Sequence, residues 1–172
     1  MKRIAHLITL LLAVFAATPA LAQVSDDTGT ARMTLIKPLS ITKIKDLEFG
    51  TVAFDGVNGG SITIDPNAPA GSETIVTGGL VSYGDSHAAE FGGAAIRDIV
   101  VNIRYPRRDL TITRVGGTET LTVRDFTIEG NSKRRLAALE YFTFKIGGTL
   151  DVPAGTVEGE YEGNFEVFVQ YP

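Results

Sequence analysis

The sequence predicts an all-β protein, an antiparallel sandwich or barrel, on three observations. From Ala31 to the C-terminus, apolar residues alternate with Thr, Glu, Arg or Lys at period two, the signature of half-buried strands. Gly-rich breaks recur every 8–12 residues, among them Gly59-Gly60, Gly78-Gly79, Gly116-Gly117 and Gly147-Gly148, which are read as turns. Helical periodicity is nearly absent. The one candidate, residues 133–139, is long enough for a turn or two.

The strands follow in order. Residues 61–65 point Ile62 and Ile64 inward, and residues 99–103, 110–115 and 118–123 repeat the pattern. Between Thr118 and Ile128 the apolar phase slips from Leu121 and Val123 to Phe126 and Ile128, so an extra residue near Arg124-Asp125 predicts a β-bulge. Residues 141–146 place Phe142, Phe144 and Ile146 on one face. Asp65-Pro66-Asn67 and Pro153-Ala154-Gly155 read as turns, because proline presets φ and Asn or Gly accepts the corner. The C-terminal run gives the clearest alternation: Tyr161, Phe165, Val167, Val169 and Tyr171 share one parity, and Glu158, Glu160, Glu162, Asn164, Glu166 and Gln170 the other. Phe168 stands among the polar positions, either packing on a neighbour or belonging to a partner surface.

Residues 1–22 read as a secretory signal peptide: basic Lys2 and Arg3, an apolar run over residues 7–17, and the small-residue end Ala20-Leu21-Ala22. The run of 11 residues is shorter than the roughly 17–25 that a membrane span needs. Cleavage after Ala22 is expected, which gives an exported protein of the periplasm, cell surface or exterior, in contact with membrane only through its leader. The mature chain then has a short segment, residues 23–30, and one β-sandwich domain, residues 31–172, with no interdomain linker. It carries fourteen cations against twenty carboxylates, net −6, and His87 is its only histidine.

Composition excludes several chemistries. The chain of 172 residues has no Cys, hence no disulfide framework, thiol nucleophile, iron–sulfur cluster or lipid-anchored cysteine. Its acidic balance is wrong for nucleic acid, whose phosphates require clustered Lys and Arg. The row of Glu158, Glu160, Glu162 and Glu166 is read as a solvated strand face, since a calcium site wraps its ion with oxygens from a loop. The polar stretch Ser82 to His87 contains Ser, Asp and His, but no G-x-S-x-G elbow and no second mature histidine, so it reads as a loop. No catalytic, cofactor or metal residue is expected. Arg104, Arg107, Arg108 and Arg114, with Lys133, Arg134 and Arg135, form the basic concentrations. They are either solvated loops or a patch for an anionic partner, such as surface polysaccharide, lipopolysaccharide or an acidic face of a neighbouring subunit.

Five motifs occur in order: Pro38-Leu39-Ser40-Ile41-Thr42-Lys43, Asp46-Leu47-Glu48-Phe49-Gly50, residues 59–66, residues 146–150, and Gly159-x-Tyr161-x-Gly163-x-Phe165-x-Val167-x-Val169-x-Tyr171. Over residues 31–171 the set resembles an uncharacterised family of exported bacterial domains of unknown function. That family is similar in turn to spore-coat-U-like and archaic chaperone–usher pilins. The resemblance implies an Ig-like, pilin-like antiparallel β-sandwich and a non-enzymatic structural or adhesive surface protein. It would assemble by strand addition as a homopolymer, with a periplasmic chaperone and usher as partners. Residues 23–30 hold one sizeable apolar side chain, so a donor strand would have to use Met33 and Leu35. The acceptor surface would then involve Phe165, Val167, Phe168, Val169 and Tyr171. A closed monomeric binding module, with loops at residues 83–91 or 105–109 meeting a ligand, is the alternative. A small outer-membrane barrel, which needs strands of about 9–11 residues, is the third reading.

Overall fold

In the computed structural model, residue 33 and residues 39–136 and 141–172 are described. The expected leader, residues 23–30 and Leu35 lie outside them. Thirteen strands follow one another: β1 (Ser40–Lys45), β2 (Thr51–Phe54), β3 (Gly60–Ile64), β4 (Thr74–Gly78), β5 (Leu80–Tyr83), β6 (Ala89–Ala94), β7 (Val100–Arg104), β8 (Leu110–Arg114), β9 (Thr120–Ile128), β10 (Lys133–Arg135), β11 (Tyr141–Val152), β12 (Tyr161–Glu162) and β13 (Phe168–Gln170). Every pairing is antiparallel. The architecture is the all-β, sandwich-like fold expected of the Ig-like class.

One sheet has eight strands in the order β1-β6-β11-β9-β8-β12, with β3 beside β11 and β4 beside β3. Three strands, β10-β7-β13, and a pair, β2-β5, form separate sheets. Among the described residues these sheets are open paths, the largest with free edges at β1, β4 and β12, unlike the closed ring of a barrel.

The 12-residue β11 is the axis. Its first half, Tyr141 to Ile146, pairs with β6, its second half, Gly148 to Val152, pairs with β3, and its other edge pairs with β9. Gly147-Gly148 therefore sits inside a strand, contrary to the turn expected there. The physical reason is close approach: a Cβ on Gly147 would strike the Ile64 carbonyl oxygen and come within 2.7 Å of Pro66 Cδ. Glycine is needed where β11 exchanges one neighbour for the other.

The bulge appears where the phase slip places it. Gly147 faces Thr127 and Thr149 faces Arg124, so Asp125 and Phe126 together oppose Gly148. Asp125 takes φ 51°, and Phe126 and Ile128 return to the buried face. The turn at Asp65 is closed by the amide of Asn67 donating to the Asp65 carboxylate at 2.9 Å, and the turn at Pro153 by Thr156 N–H to the Pro153 carbonyl at 3.3 Å.

Three further expectations are corrected. Residues 133–135 form β10 rather than a helical turn, held by pairing with β7 across Lys133/Asn102, Arg134/Val101 and Arg135/Val100. Tertiary pairing overrides a helix-favouring composition; residues 137–140 lie outside the described set. The C-terminal run is not one long strand. Tyr161–Glu162 pairs with β8 in the large sheet, Phe168–Gln170 pairs with β7 in the three-stranded sheet, and the five residues between have no strand assignment. The expected loop at residues 83–91 likewise ends in a strand, β6.

The core lies between the layers. Ile62, Ile64, Phe144 and Ile146 have no exposure, and Phe144 stacks on Phe91 at 5.4 Å and Phe142 at 6.2 Å between ring centres. Phe165 closes the row against Phe126 at 5.5 Å and Phe91 at 6.3 Å.

Candidate functional site

The alternation that builds the large sheet turns Leu110 and Ile112 of β8, Leu121 and Val123 of β9, and Leu150 and Val152 of β11 toward the second layer. Among the described residues no ladder joins β2-β5 to β10-β7-β13. Along β2, over β8, β9 and the end of β11, runs a groove of about 1410 Å³, and no residue of β7, β10 or β13 lines it. One wall is residues 46–54; the other is residues 156–165, including Val157, Tyr161 and Phe165. Its floor is narrow, with Ile112, Val123 and Leu150 retaining 2–8% exposure, while Val157 and Val115 on the rim are 44% and 52% exposed.

Both walls hold backbone that joins no ladder among the described residues. Among residues 46–50 the one bridge is Glu48 with His87, made by two N–H to carbonyl bonds of 3.0 and 2.9 Å, and residues 163–167 belong to no ladder. Tyr161 fixes the second wall, its hydroxyl donating to the Val157 carbonyl at 2.6 Å, and Val115 N–H reaches the Glu160 carbonyl at 2.8 Å. Among the described residues the lining carries six carboxylates, Asp46, Glu48, Asp85, Glu158, Glu160 and Glu162, and no Lys or Arg. An apolar floor, two backbone edges outside any ladder and an acidic rim together suit an extended chain with alternating apolar side chains and flanking cations. The volume exceeds the roughly 300–1,000 Å³ of small-molecule pockets.

The residues singled out in the sequence fall into three places. Phe165 lines the groove, and Val167, Val169 and Tyr171 are half-buried against the core. The Tyr171 hydroxyl accepts from Ile96 N–H at 3.4 Å. Met33 is exposed, and Leu35 lies outside the described residues. Phe168, 55% exposed, lies directly across from Arg104 on the outer face of β10-β7-β13, where the register also places Lys133 and Arg135. Arg107 and Arg108 follow in the loop after β7, with the Arg107 guanidinium 4.2 Å from the centre of the Tyr105 ring.

Arg134 departs from this group. It donates to the carbonyls of Asn131 (2.7 Å), Thr143 (2.9 Å) and Glu129, and its guanidinium lies over the Phe144 ring. Burial pushes its pKa down. It clamps the β9–β10 turn to β11 instead of facing solvent. Arg114 also leaves the basic group, bound to Glu119 at 2.8 Å. Sequence reading missed the groove itself: Val52, Phe54, Leu110, Ile112 and Val157 carry no sign that distinguishes a groove wall from core.

His87 contacts Asp85 at 3.9 Å and the Ala88 carbonyl at 3.3 Å. Ser86 is bonded at 2.6 Å to Thr74 instead. No cluster of three metal-ligating side chains occurs among the described residues, and none of their helices is long and apolar enough to cross a membrane.

A family profile matches residues 39–171, and the chain belongs to that family, a domain of unknown function designated DUF4402. Neither the curated proteins nor the solved structures contain a match to it.

Proposed function

We propose that this member of the DUF4402 family is an exported, non-enzymatic surface protein, a pilin-like or coat-like subunit that assembles by strand addition. The observation that carries the reading is the groove: six apolar side chains form its floor, and among the described residues, residues 163–167 join no ladder and residues 46–50 make only the Glu48–His87 bridge. A strand entering there gains main-chain hydrogen bonds on both sides and buries alternate side chains, which is how strand addition obtains affinity and specificity together.

The occupant we favour is residues 31–37 of a second copy. Ala31, Met33 and Leu35 share one parity, and Arg32 and Lys37 supply the cations that the six-carboxylate rim lacks. Seven residues at about 3.4 Å each span roughly 24 Å, two to three times the width of a sheet layer. Head-to-tail insertion is heterologous and does not close on itself, so it generates fibres. A periplasmic chaperone would hold the same groove before assembly.

The test is size-exclusion chromatography and electron microscopy of the chain from Gln23, with and without residues 23–36. Fibres or high oligomers that disappear on truncation support the reading. A monomer indifferent to the truncation contradicts it.

A further inference from the structure

The cations of this chain are segregated by partner. Lys43, Arg114, Arg124 and Lys145 each meet a carboxylate at 2.6–3.3 Å, and all four belong to the large sheet. The side chains of seven others make no hydrogen bond or ion pair among the described residues: Lys45, Arg97, Arg104, Arg107, Arg108, Lys133 and Arg135. Six of those seven lie in or beside β7 and β10. Residues 97–109 and 131–136 carry seven cations against two carboxylates, net +5, in a chain whose total is −4. A surface of sign opposite to the rest of the molecule draws in polyanions.

Register turns this composition into a face. Val101 and Ile103 are buried, so Val100, Asn102 and Arg104 point outward, and their ladder partners point outward with them. One rung holds Phe168 and Arg104; the next holds Gln170, Asn102 and Lys133; the third holds Val100 and Arg135. The paired residues of these three strands include no carboxylate. Neither Asn102 nor Gln170 has a side-chain hydrogen bond within the described residues. The face thus presents an exposed aromatic ring, two free amides and three free cations, and Arg107 and Arg108 extend it past Arg104.

We propose that this face binds an anionic polysaccharide of the uronic-acid class. The guanidinium and ammonium groups take the sugar carboxylates, the amides take hydroxyls, and the Phe168 ring takes the apolar face of a pyranose. Dimensions favour a linear polymer over a protein: strands about 4.8 Å apart and rungs about 7 Å apart give a strip about 10 Å wide and 14 Å long. That is far below the roughly 800 Å² per partner of a stable protein interface. This proposal does not depend on the groove.

The experiment is calorimetric titration of the chain from Gln23 with polygalacturonate oligomers, with dextran as the neutral control and vesicles containing phosphatidylglycerol as the lipid control. Expected are binding to polygalacturonate that weakens with salt and none to dextran. Triple reversal of Arg104, Lys133 and Arg135 to Glu should lower affinity about 100-fold, and Phe168→Ala about fivefold. Circular dichroism should show both variants folded, because all four side chains are outward. Should the triple variant unfold, Asn102→Ala with Gln170→Ala tests the same strip, with about a fivefold loss expected. Absent binding by the parent chain, equal binding by the face variants, or preference for the vesicles with Phe168→Ala unaffected would each overturn the proposal.

Discussion

The two halves of the sandwich differ in what lies over the large sheet. Around the first half of β11, Phe144 and Ile146 have no exposure, and five aromatic rings contact one another in sequence. Toward the groove, the same alternation continues through Leu150 and Val152, which are still only 7% and 5% exposed yet line a space of about 1410 Å³. One strand thus runs from a core of packed rings to the buried floor of a groove. Core packing dominates the first region, and the proposed recognition falls to the second.

The largest effect that separates them is expected from core truncation. Phe144→Ala removes a fully buried ring and should cost about 3–5 kcal/mol, read as a fall in the denaturant midpoint. Val157→Ala, on the groove rim, should cost under about 0.5 kcal/mol yet weaken assembly. If the two variants were equally destabilising, the division of the molecule into a closed and an open half would fail.

Next comes the crossover of β11. Gly147→Val forces a side chain against the Ile64 carbonyl and Pro66, at a cost of about 1–3 kcal/mol in the monomer. Thermal unfolding of the monomer checks it, and an unchanged midpoint would show that the close approach relaxes freely.

The smallest expected effect is electrostatic and belongs to the β8–β9 hairpin. The hydrogen bond from Arg114, with the Glu119 and Thr118 amides, lowers the Glu119 pKa from 4.5 to about 2. A carboxylate depressed in the folded state contributes stability above its unfolded pKa and loses it as pH falls. The contribution is therefore whole above about pH 4.5 and fades toward pH 2. Both partners are partly exposed, so the effect is small and falls with salt. Glu119→Gln should flatten that part of the stability profile, and acid titration of both proteins in low salt measures it.

What could be read from the sequence follows from which features are local. Ile62 and Ile64, the β9 phase slip and the turns at Pro66 and Pro153 all leave period-two or turn signatures within a few residues, and each is found where expected. Gly147-Gly148 misled because a glycine pair is equally a turn signal and a close-packing signal, and only the partner strand decides. Residues 133–139 misled because Lys, Arg, Ala and Leu favour helix, whereas pairing with β7 is nonlocal. The run from Tyr161 to Tyr171 keeps one apolar parity throughout, and its transfer from one sheet to the other left no mark except Phe168, which stands among the polar positions where β13 begins. The groove is legible only in three dimensions: its lining comes from segments far apart in the chain, and residues such as Ile112 and Val123 look like core. The basic face was half legible. Its cations were visible as a cluster, but the β7 register was needed to bring Phe168, Arg104 and Lys133 to one surface and to turn Arg134 away.

Hydrogen exchange of the chain lacking residues 23–36, with and without a synthetic peptide spanning residues 30–37, tests the account at its centre. Strand addition predicts new amide protection in residues 46–54 and 163–167, the two groove walls, with little change in β6 or β11. Absence of protection at both walls, or protection confined to the β1 edge, would contradict the acceptor role assigned to the groove.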